Sequence, residues 1–169
     1  MSKAFTREDD SAGEPVIRPP LSSLPPGVKN YLTADGAQRL RDELERLIKV
    51  DRPGIGNLPD PEEARRQVQI LDQRIAHIGQ SLASAEVVEP PGELEDVIRF
   101  GAFVTVRNRA GDESDYRIVG ADETDIDRGW VSWRSPIARA LINAGTGQRV
   151  RFRFPAGEDE LEILRVRYR

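Results

Sequence analysis

The chain has 169 residues, of which 38% are hydrophobic and 32% charged, a composition that fits one or two small soluble domains with much surface. Its net charge of −4 argues against a protein that binds nucleic acid through a broad basic face. The absence of cysteine excludes disulfides and thiolate metal sites, and a single histidine is too few for a histidine-based metal site.

The sequence predicts no membrane-spanning segment, and it predicts no packed element in the N-terminal region. No stretch of the chain approaches the roughly 20 apolar residues that cross a bilayer, and the N-terminus lacks the apolar core of a signal peptide. We therefore expect a cytoplasmic protein without a membrane partner. Residues 1–30 contain five prolines and little apolar content, too little to offset the entropy of ordering, which predicts a disordered arm.

Apolar residues then recur at steps of three and four in two stretches, which predicts two helices that each carry one narrow apolar stripe. In the first stretch, residues 33–50, they are Ala37, Leu40, Leu44, Leu47 and Ile48. In the second, residues 61–86, they are Ala64, Val68, Leu71, Ile75, Ile78, Leu82 and Ala85. The segment VDRPGIGNLPD between them holds two glycines and two prolines, which a helix is not expected to cross. Residues 31–89 are thus predicted to form an antiparallel coiled-coil hairpin.

Both predicted helices begin with capping residues. Thr33 is predicted to be the N-cap of the first helix, with Asp35 in the first turn, where the helix dipole favours an acid. Asp60 can cap the second helix, Pro61 suits its first position, and Glu63 can close a capping box. Helix capping alone is therefore enough to explain why acids stand at positions 35, 60 and 63.

From Phe100 onwards the apolar period changes to two, which predicts strands over GAFVTVRN, DYRIVG, WVSW, RVRFRF and LEILRVRY. Short turns between neighbouring strands indicate an antiparallel sheet. Ser135 and Pro136 ahead of IARAL predict a short helix with Ser135 as its N-cap. One helix on one face of a small sheet makes residues 96–169 an α+β domain.

Three aromatic or titratable side chains invite a functional interpretation. Trp130 and Trp133 are three apart on one predicted strand and therefore point to opposite faces. Trp133 shares its parity with Val131 and is expected in the core, whereas Trp130 is expected to be exposed and to contact a partner. His77 lies beside Ile78, and because no second histidine or cysteine supports a ligand role, the sequence favours a residue that flanks the coiled coil.

Taken in order, the stretches YLTADGAQRLRDELERL, FGAFVTV, DYRIVG, SPIARALINAGTGQRV and FPAGEDELEILRVRY resemble the Gre family of bacterial transcription elongation factors (GreA/GreB-like) over residues 31–168. The resemblance implies a coiled coil joined to a C-terminal domain like that of FK506-binding proteins. It implies a monomer that docks on RNA polymerase at the rim of the secondary channel and inserts the coiled coil. Acids at the family's tip help hold Mg²⁺ in the polymerase, which then hydrolyses a backtracked transcript; no other cofactor and no sequence-specific nucleic-acid binding are implied.

The tip of the hairpin departs from the family pattern, which is Gly-Asp, two residues, then Glu-Asn-Ala-acid-Tyr. Asp60 and Glu63 keep the Asp-x-x-Glu spacing and are the candidate metal-binding residues. The other positions are changed: Pro59 replaces the glycine, Ala64 the asparagine, Arg66 the second acid and Gln67 the tyrosine. The hairpin is also shorter by roughly a dozen residues, or about 9–10 Å of reach at 1.5 Å per residue.

Three functions follow from these observations. The first is a polymerase-binding regulator, a short-hairpin Gre member with weak or no stimulation of transcript cleavage, which is not itself an enzyme. The second is an active cleavage factor that helps hold Mg²⁺. The third, a prolyl isomerase, is suggested by fold alone. The resemblance places the docking contact at Ser135 and Pro136, next to Arg134, where the family often has an acid; Trp130 is a further candidate contact.

Overall fold

A computed structural model describes residues 24–92 and 96–169 of the chain. Residues 1–23 of the predicted arm lie outside the described residues. The remainder of that segment is placed, and its last residue, Asn30, is buried in the first strand. Within these two ranges no helix has the length and apolar content to cross a membrane.

The first arm of the helical hairpin is longer than predicted. It begins at Thr33, whose Oγ1 accepts a hydrogen bond from the Gly36 N–H at 3.0 Å, which confirms the predicted cap. Helix α1 (Ala34–Arg46) continues through a π-helical turn (Leu47–Asp51) into α2 (Arg52–Ile55). The sequence predicted a first helix over residues 33–50, and the prediction that it ends ahead of Pro53 was therefore wrong.

The π-helical turn explains how the arm passes the proline. The N–H of Arg52 donates to the carbonyl of Leu47, five residues back, instead of four. A proline ring clashes with the carbonyl four residues earlier in an α-helix, and its nitrogen has no N–H to donate. Pro53 comes directly after the wider turn, in the first turn of α2, where an N–H is not needed. The chain then turns through residues 56–60.

Helix α3 (Pro61–Ser84) returns along the first arm and packs against it through the predicted apolar stripe. The buried members of this core are Leu32, Ala37, Leu40, Leu47 and Ile78, and the half-buried members are Leu44, Leu71, Ile75, Leu82 and Ala85. One expected member, Ile48, is 47% exposed. Leu47 already occupies the stripe, and the next residue lies roughly a quarter of a turn further round the helix.

A short parallel pair of strands, β1 (Asn30–Thr33) and β2 (Ala85–Val88), closes the base of the hairpin. The sequence did not predict it, because four residues are too few to show an alternation. Tyr31 of β1 stacks near Phe100 and Trp133, with ring centroids 5.8 and 5.3 Å away. The base of the hairpin is therefore tied to the second half of the chain.

The second half forms a sheet of five strands: β3 (Phe103–Arg107), β4 (Glu113–Val119), β5 (Trp130–Ser132), β6 (Arg149–Phe154) and β7 (Gly157–Arg167). Their order across the sheet is β5-β4-β3-β7-β6. Helix α4 (Pro136–Leu141) packs on the sheet core. The α+β class with an N-terminal helical hairpin is confirmed, whereas likeness to FK506-binding proteins stays a prediction.

One strand pair corrects the predicted antiparallel sheet, because β5 runs parallel to β4. The segment that joins them is not a tight turn: it includes a 3₁₀ turn (Ala121–Glu123) and a loop that return the chain to the same end of the sheet. Trp133 lies just beyond β5 and packs against the core, as predicted. The 3₁₀ turn comes to lie against the hairpin base.

Candidate functional site

The hairpin tip is built around the start of α3. Asp60 is in an extended conformation, and its Oδ1 accepts the Glu62 N–H at 2.9 Å. Pro61 occupies the first helical position, where its missing N–H costs nothing. The predicted cap is therefore confirmed, and one oxygen of the Asp60 carboxylate is committed to the backbone of its own helix.

Glu63 makes different contacts from those predicted. Its Oε1 accepts a hydrogen bond from Nε2 of Gln67 at 2.8 Å, and its Oε2 lies 3.0 Å from Nη2 of Arg66. Among the described residues no bond links this carboxylate to the Asp60 N–H, so the predicted capping box is not formed. The cause is local: partners three and four residues along the same helix face compete for the acid.

The tip acids alone do not make a metal site. In residues 24–92 and 96–169, no three acidic or histidine side chains are grouped so that they could hold a metal ion. Mg²⁺ prefers six oxygen ligands at about 2.0–2.1 Å. Asp60 and Glu63 could therefore supply at most one or two ligands to an ion held mainly by another molecule.

The predicted docking residues lie at the start of α4. The Ser135 Oγ accepts the Ala138 N–H at 3.2 Å, and Pro136 is the first helical residue, as expected of this cap. Pro136 is exposed, while Arg134 and Ser135 are half-buried. This arrangement leaves a rigid surface corner, with its backbone held by the bond from the Ser135 N–H to the Ser132 carbonyl at 2.9 Å.

Trp130 is half-buried rather than exposed, because guanidinium groups surround its ring. Those of Arg39, Arg117 and Arg128 lie 4.5, 5.0 and 5.1 Å from it. Arg39 belongs to α1 and Arg117 to β4, so the indole lies between the hairpin and the sheet. Its role as a partner contact stays a prediction.

The same junction holds an ion pair that the sequence did not reveal. Arg117 is buried, and its Nη1 and Nη2 donate to the two carboxylate oxygens of Asp35 at 2.8 and 2.7 Å. These bonds hold the pKa of the Asp35 carboxyl well below its usual range, against the opposing effect of partial burial. The partners are 82 positions apart, and no local pattern signals such a pair.

Glu123 of the 3₁₀ turn is bound to the start of the first arm. Its side chain is 1% exposed, and its carboxylate accepts the Thr33 N–H at 2.9 Å, the Gly120 N–H at 3.0 Å and the Thr33 hydroxyl. The Arg39 guanidinium adds a fourth donor, with Nη2 3.4 Å from Oε1, and the four together compensate for the lost hydration of the buried carboxylate. Glu123 thus joins the sheet to the N-cap of α1.

Its neighbour Asp122 is bound to the other arm. The Ser81 hydroxyl of α3 donates to Asp122 Oδ2, and His77 Nε2 lies 3.4 Å from Oδ1. The Asn30 amide donates in turn to the Ser81 carbonyl at 3.0 Å. His77 therefore faces the junction with the sheet and does not simply flank the coiled coil.

Residues 93–168 match the family model described as transcription elongation factor, GreA/GreB, C-term. The transcription elongation factor GreA of Alkalilimnicola ehrlichii is 43% identical over 152 residues, which cover 81% of this chain and 96% of that protein. The transcription elongation factor GreB of Neisseria meningitidis serogroup A is 38% identical and covers 83% and 94%. A solved GreA/GreB factor from Nitrosomonas europaea is 22% identical over 83% of this chain and 99% of its own, with a TM-score of 0.41.

Proposed function

The chain belongs to the GreA/GreB family of transcription elongation factors, and we propose that it regulates RNA polymerase through the secondary channel, with weak or no stimulation of transcript cleavage. In this proposal the sheet domain docks at the channel rim through the corner at Arg134, Ser135 and Pro136. The hairpin then enters the channel and acts mainly as an obstruction or as a competitor of other channel factors.

The observation that carries the weak-cleavage proposal is the chemistry of the tip. A carboxylate assists metal-dependent hydrolysis only when it reaches the ion or its bound water. One carboxylate oxygen of Asp60 accepts the hydrogen bond of its helix cap, and Glu63 accepts a hydrogen bond from Gln67 and pairs with Arg66. A carboxylate paired with a guanidinium must give up that pairing before it can bind Mg²⁺.

The length of the hairpin supports the same proposal. The alignment with the Alkalilimnicola protein spans 152 positions, of which this chain fills about 137, or 81% of its 169 residues. About 15 positions of the relative thus have no counterpart here. The changed tip motif predicts that these positions are missing from the two arms of the hairpin, and their loss would retract its tip by roughly 11 Å at 1.5 Å per residue, several times the length of a bond to Mg²⁺.

An active cleavage factor is the second candidate. Asp60 and Glu62 are exposed at the end of the hairpin, where a carboxylate could meet an ion carried by the polymerase. Under this alternative, Asp60 would donate its second oxygen to Mg²⁺ and Glu63 would exchange its guanidinium partner for the ion. The two candidates differ in one measurable quantity, the rate at which a backtracked transcript is shortened.

The test uses a backtracked elongation complex at saturating Mg²⁺. We expect wild-type protein to slow elongation without rapid release of short 3′ RNA fragments. The double variant Asp60→Ala/Glu63→Ala should behave as wild type does. A matched control, Glu89→Ala/Asp96→Ala, removes two exposed acids away from the tip. Rapid cleavage by wild type that is lost in the tip variant but kept in the control would establish the cleavage factor instead.

A further inference from the structure

The 3₁₀ turn Ala121–Glu123 holds both arms of the hairpin through two adjacent acids. Glu123 binds the first residue ahead of α1, at Thr33, and Asp122 contacts Ser81 and His77 near the end of α3. Two rigid bodies that touch at one point can rotate about that point in every direction. When they touch at two points, the only rotation left is the one about the line that joins the two points. The turn therefore removes most of the freedom of the hairpin relative to the sheet.

The ion pair between Asp35 and Arg117 supplies a third contact from a different element, strand β4. The guanidinium of Arg117 also packs against two aromatic rings, at 4.6 Å from that of Phe103 and 5.0 Å from that of Trp130. A planar guanidinium that binds both oxygens of a carboxylate is directional, since both bonds weaken when either group rotates. This pair opposes the rotation that the turn leaves free.

The hairpin and the sheet domain also approach each other too closely to slide past one another. A Cβ added at Gly36 would lie 1.7 Å from Glu123 Oε1, and one added at Gly120 would lie 2.1 Å from the Tyr31 carbonyl oxygen. Real Cβ atoms do not tolerate such distances, so backbone meets backbone or a buried carboxylate at both places. Little space is left for alternative orientations of the hairpin.

We propose that these root contacts, defined as Thr33–Glu123, Asp35–Arg117 and Ser81/His77–Asp122, fix the angle of the hairpin to the sheet, and that Asp35 and Arg117 are positioning residues for the hairpin tip. Asp35 touches no partner molecule in this proposal and acts through the orientation of α1. A sheet domain docked on a surface would then carry the tip to one place. This last consequence rests on the proposed function, whereas the fixed angle does not.

Asp35 is the residue at which this inference is best tested. Its side chain is 53% exposed, so its replacement leaves both apolar cores intact, whereas replacement of the buried Glu123 risks unfolding. Asp35→Asn keeps the size of the side chain and removes the charge, and Asp35→Ala removes the contact. Asp72→Ala is the matched control, because Asp72 forms a similar two-bond pair with Arg52 inside the hairpin, at 2.8 and 3.3 Å.

Because the chain has no cysteine of its own, spin labels can be attached at introduced cysteines alone, and the angle between hairpin and sheet can be followed as a distance between two labels. Spin labels on Asn57→Cys in the tip loop and Ala110→Cys in the β3–β4 turn, both exposed, report the distance from hairpin tip to sheet by double electron–electron resonance. We expect one narrow distance distribution for the unsubstituted background and for Asp72→Ala. Asp35→Ala should give a broader distribution with a shifted or second maximum, and Asp35→Asn an intermediate one, with helix content by circular dichroism unchanged.

The inference is overturned if the distribution is already broad in the unsubstituted background, or if both Asp35 variants leave it unchanged. A second measurement connects the angle to function: the Asp35→Ala variant should bind core RNA polymerase with unchanged affinity but inhibit elongation less at saturation. If the wild-type protein does not bind polymerase, the proposed function fails while the distance measurement on the free protein still decides the inference.

Discussion

Replacement of Ile78 by alanine tests whether the apolar stripe holds the hairpin together. Ile78 is 0% exposed and belongs to the hairpin core. The change removes three buried carbon atoms, or about 2.4 kcal/mol at ~0.8 kcal/mol each. The cavity left behind raises the loss towards ~3–4 kcal/mol, and the better helix propensity of alanine returns about 0.4 kcal/mol. We therefore expect the free energy of unfolding to fall by about 3 kcal/mol.

Urea unfolding followed by ellipticity at 222 nm measures this loss, and the chain supplies a matched control on the same helix. Ile70 is 53% exposed, so Ile70→Ala should change the free energy of unfolding by no more than about 0.5 kcal/mol. Hydrogen exchange of the Ile78→Ala variant should show lost protection in α3 and retained protection in β3 and β7, which have a core of their own. Equal effects of the two alanine variants would refute the assignment of the stripe.

Three further predictions concern the docking corner, the ion pair and two glycines. Pro136→Trp should weaken binding to core RNA polymerase in a fluorescence anisotropy titration, while Ala156→Trp, at an exposed turn, should not; equal affinities would place the interface elsewhere. Because the pKa of Asp35 is lowered on folding, its ion pair stabilises the fold above the unfolded pKa of ~3.9 and is lost as the pH falls towards the folded value. The difference in unfolding free energy between wild type and Asp35→Asn should therefore be constant above about pH 5 and shrink in stronger acid; a difference that instead grows in acid would contradict the pairing. Gly79→Ala should raise the melting temperature, because its Cβ meets nothing within 4 Å and alanine favours a helix by about 1 kcal/mol. Gly36→Ala should lower the melting temperature, because its Cβ would collide with a buried carboxylate oxygen 1.7 Å away. A higher melting temperature for Gly36→Ala would contradict the close approach of the hairpin to Glu123.

The features that the sequence predicted well are those whose partners lie within a few positions. The caps at Thr33, Asp60 and Ser135 each accept a bond from an N–H two or three residues later, and a side chain of that type at that place is sufficient to predict it. The apolar stripe is equally local, because its period is set by the geometry of one helix.

The features that were missed depend on distant partners or on small energy differences. Arg117 looks like an ordinary polar residue in an alternating strand, and only the approach of α1 explains its burial against Asp35. The capping box failed because Arg66 and Gln67 competed for Glu63. The first arm passes Pro53 by way of a π-helical turn, and this turn has no sequence signature of its own.

The distribution of burial along the hairpin has a mechanical consequence. Its fully buried residues, such as Leu32 and Ile78, lie in the half nearer the sheet, whereas Ala64 and Val68 near the loop are only half-buried. The hairpin is thus anchored at the end next to the sheet, and its completely buried residues do not extend to the free end. A force applied at residues 56–60 would separate or bend the last turns of the two helices before it moved the base. The hairpin tip can therefore adapt to a surface while the root contacts stay unchanged.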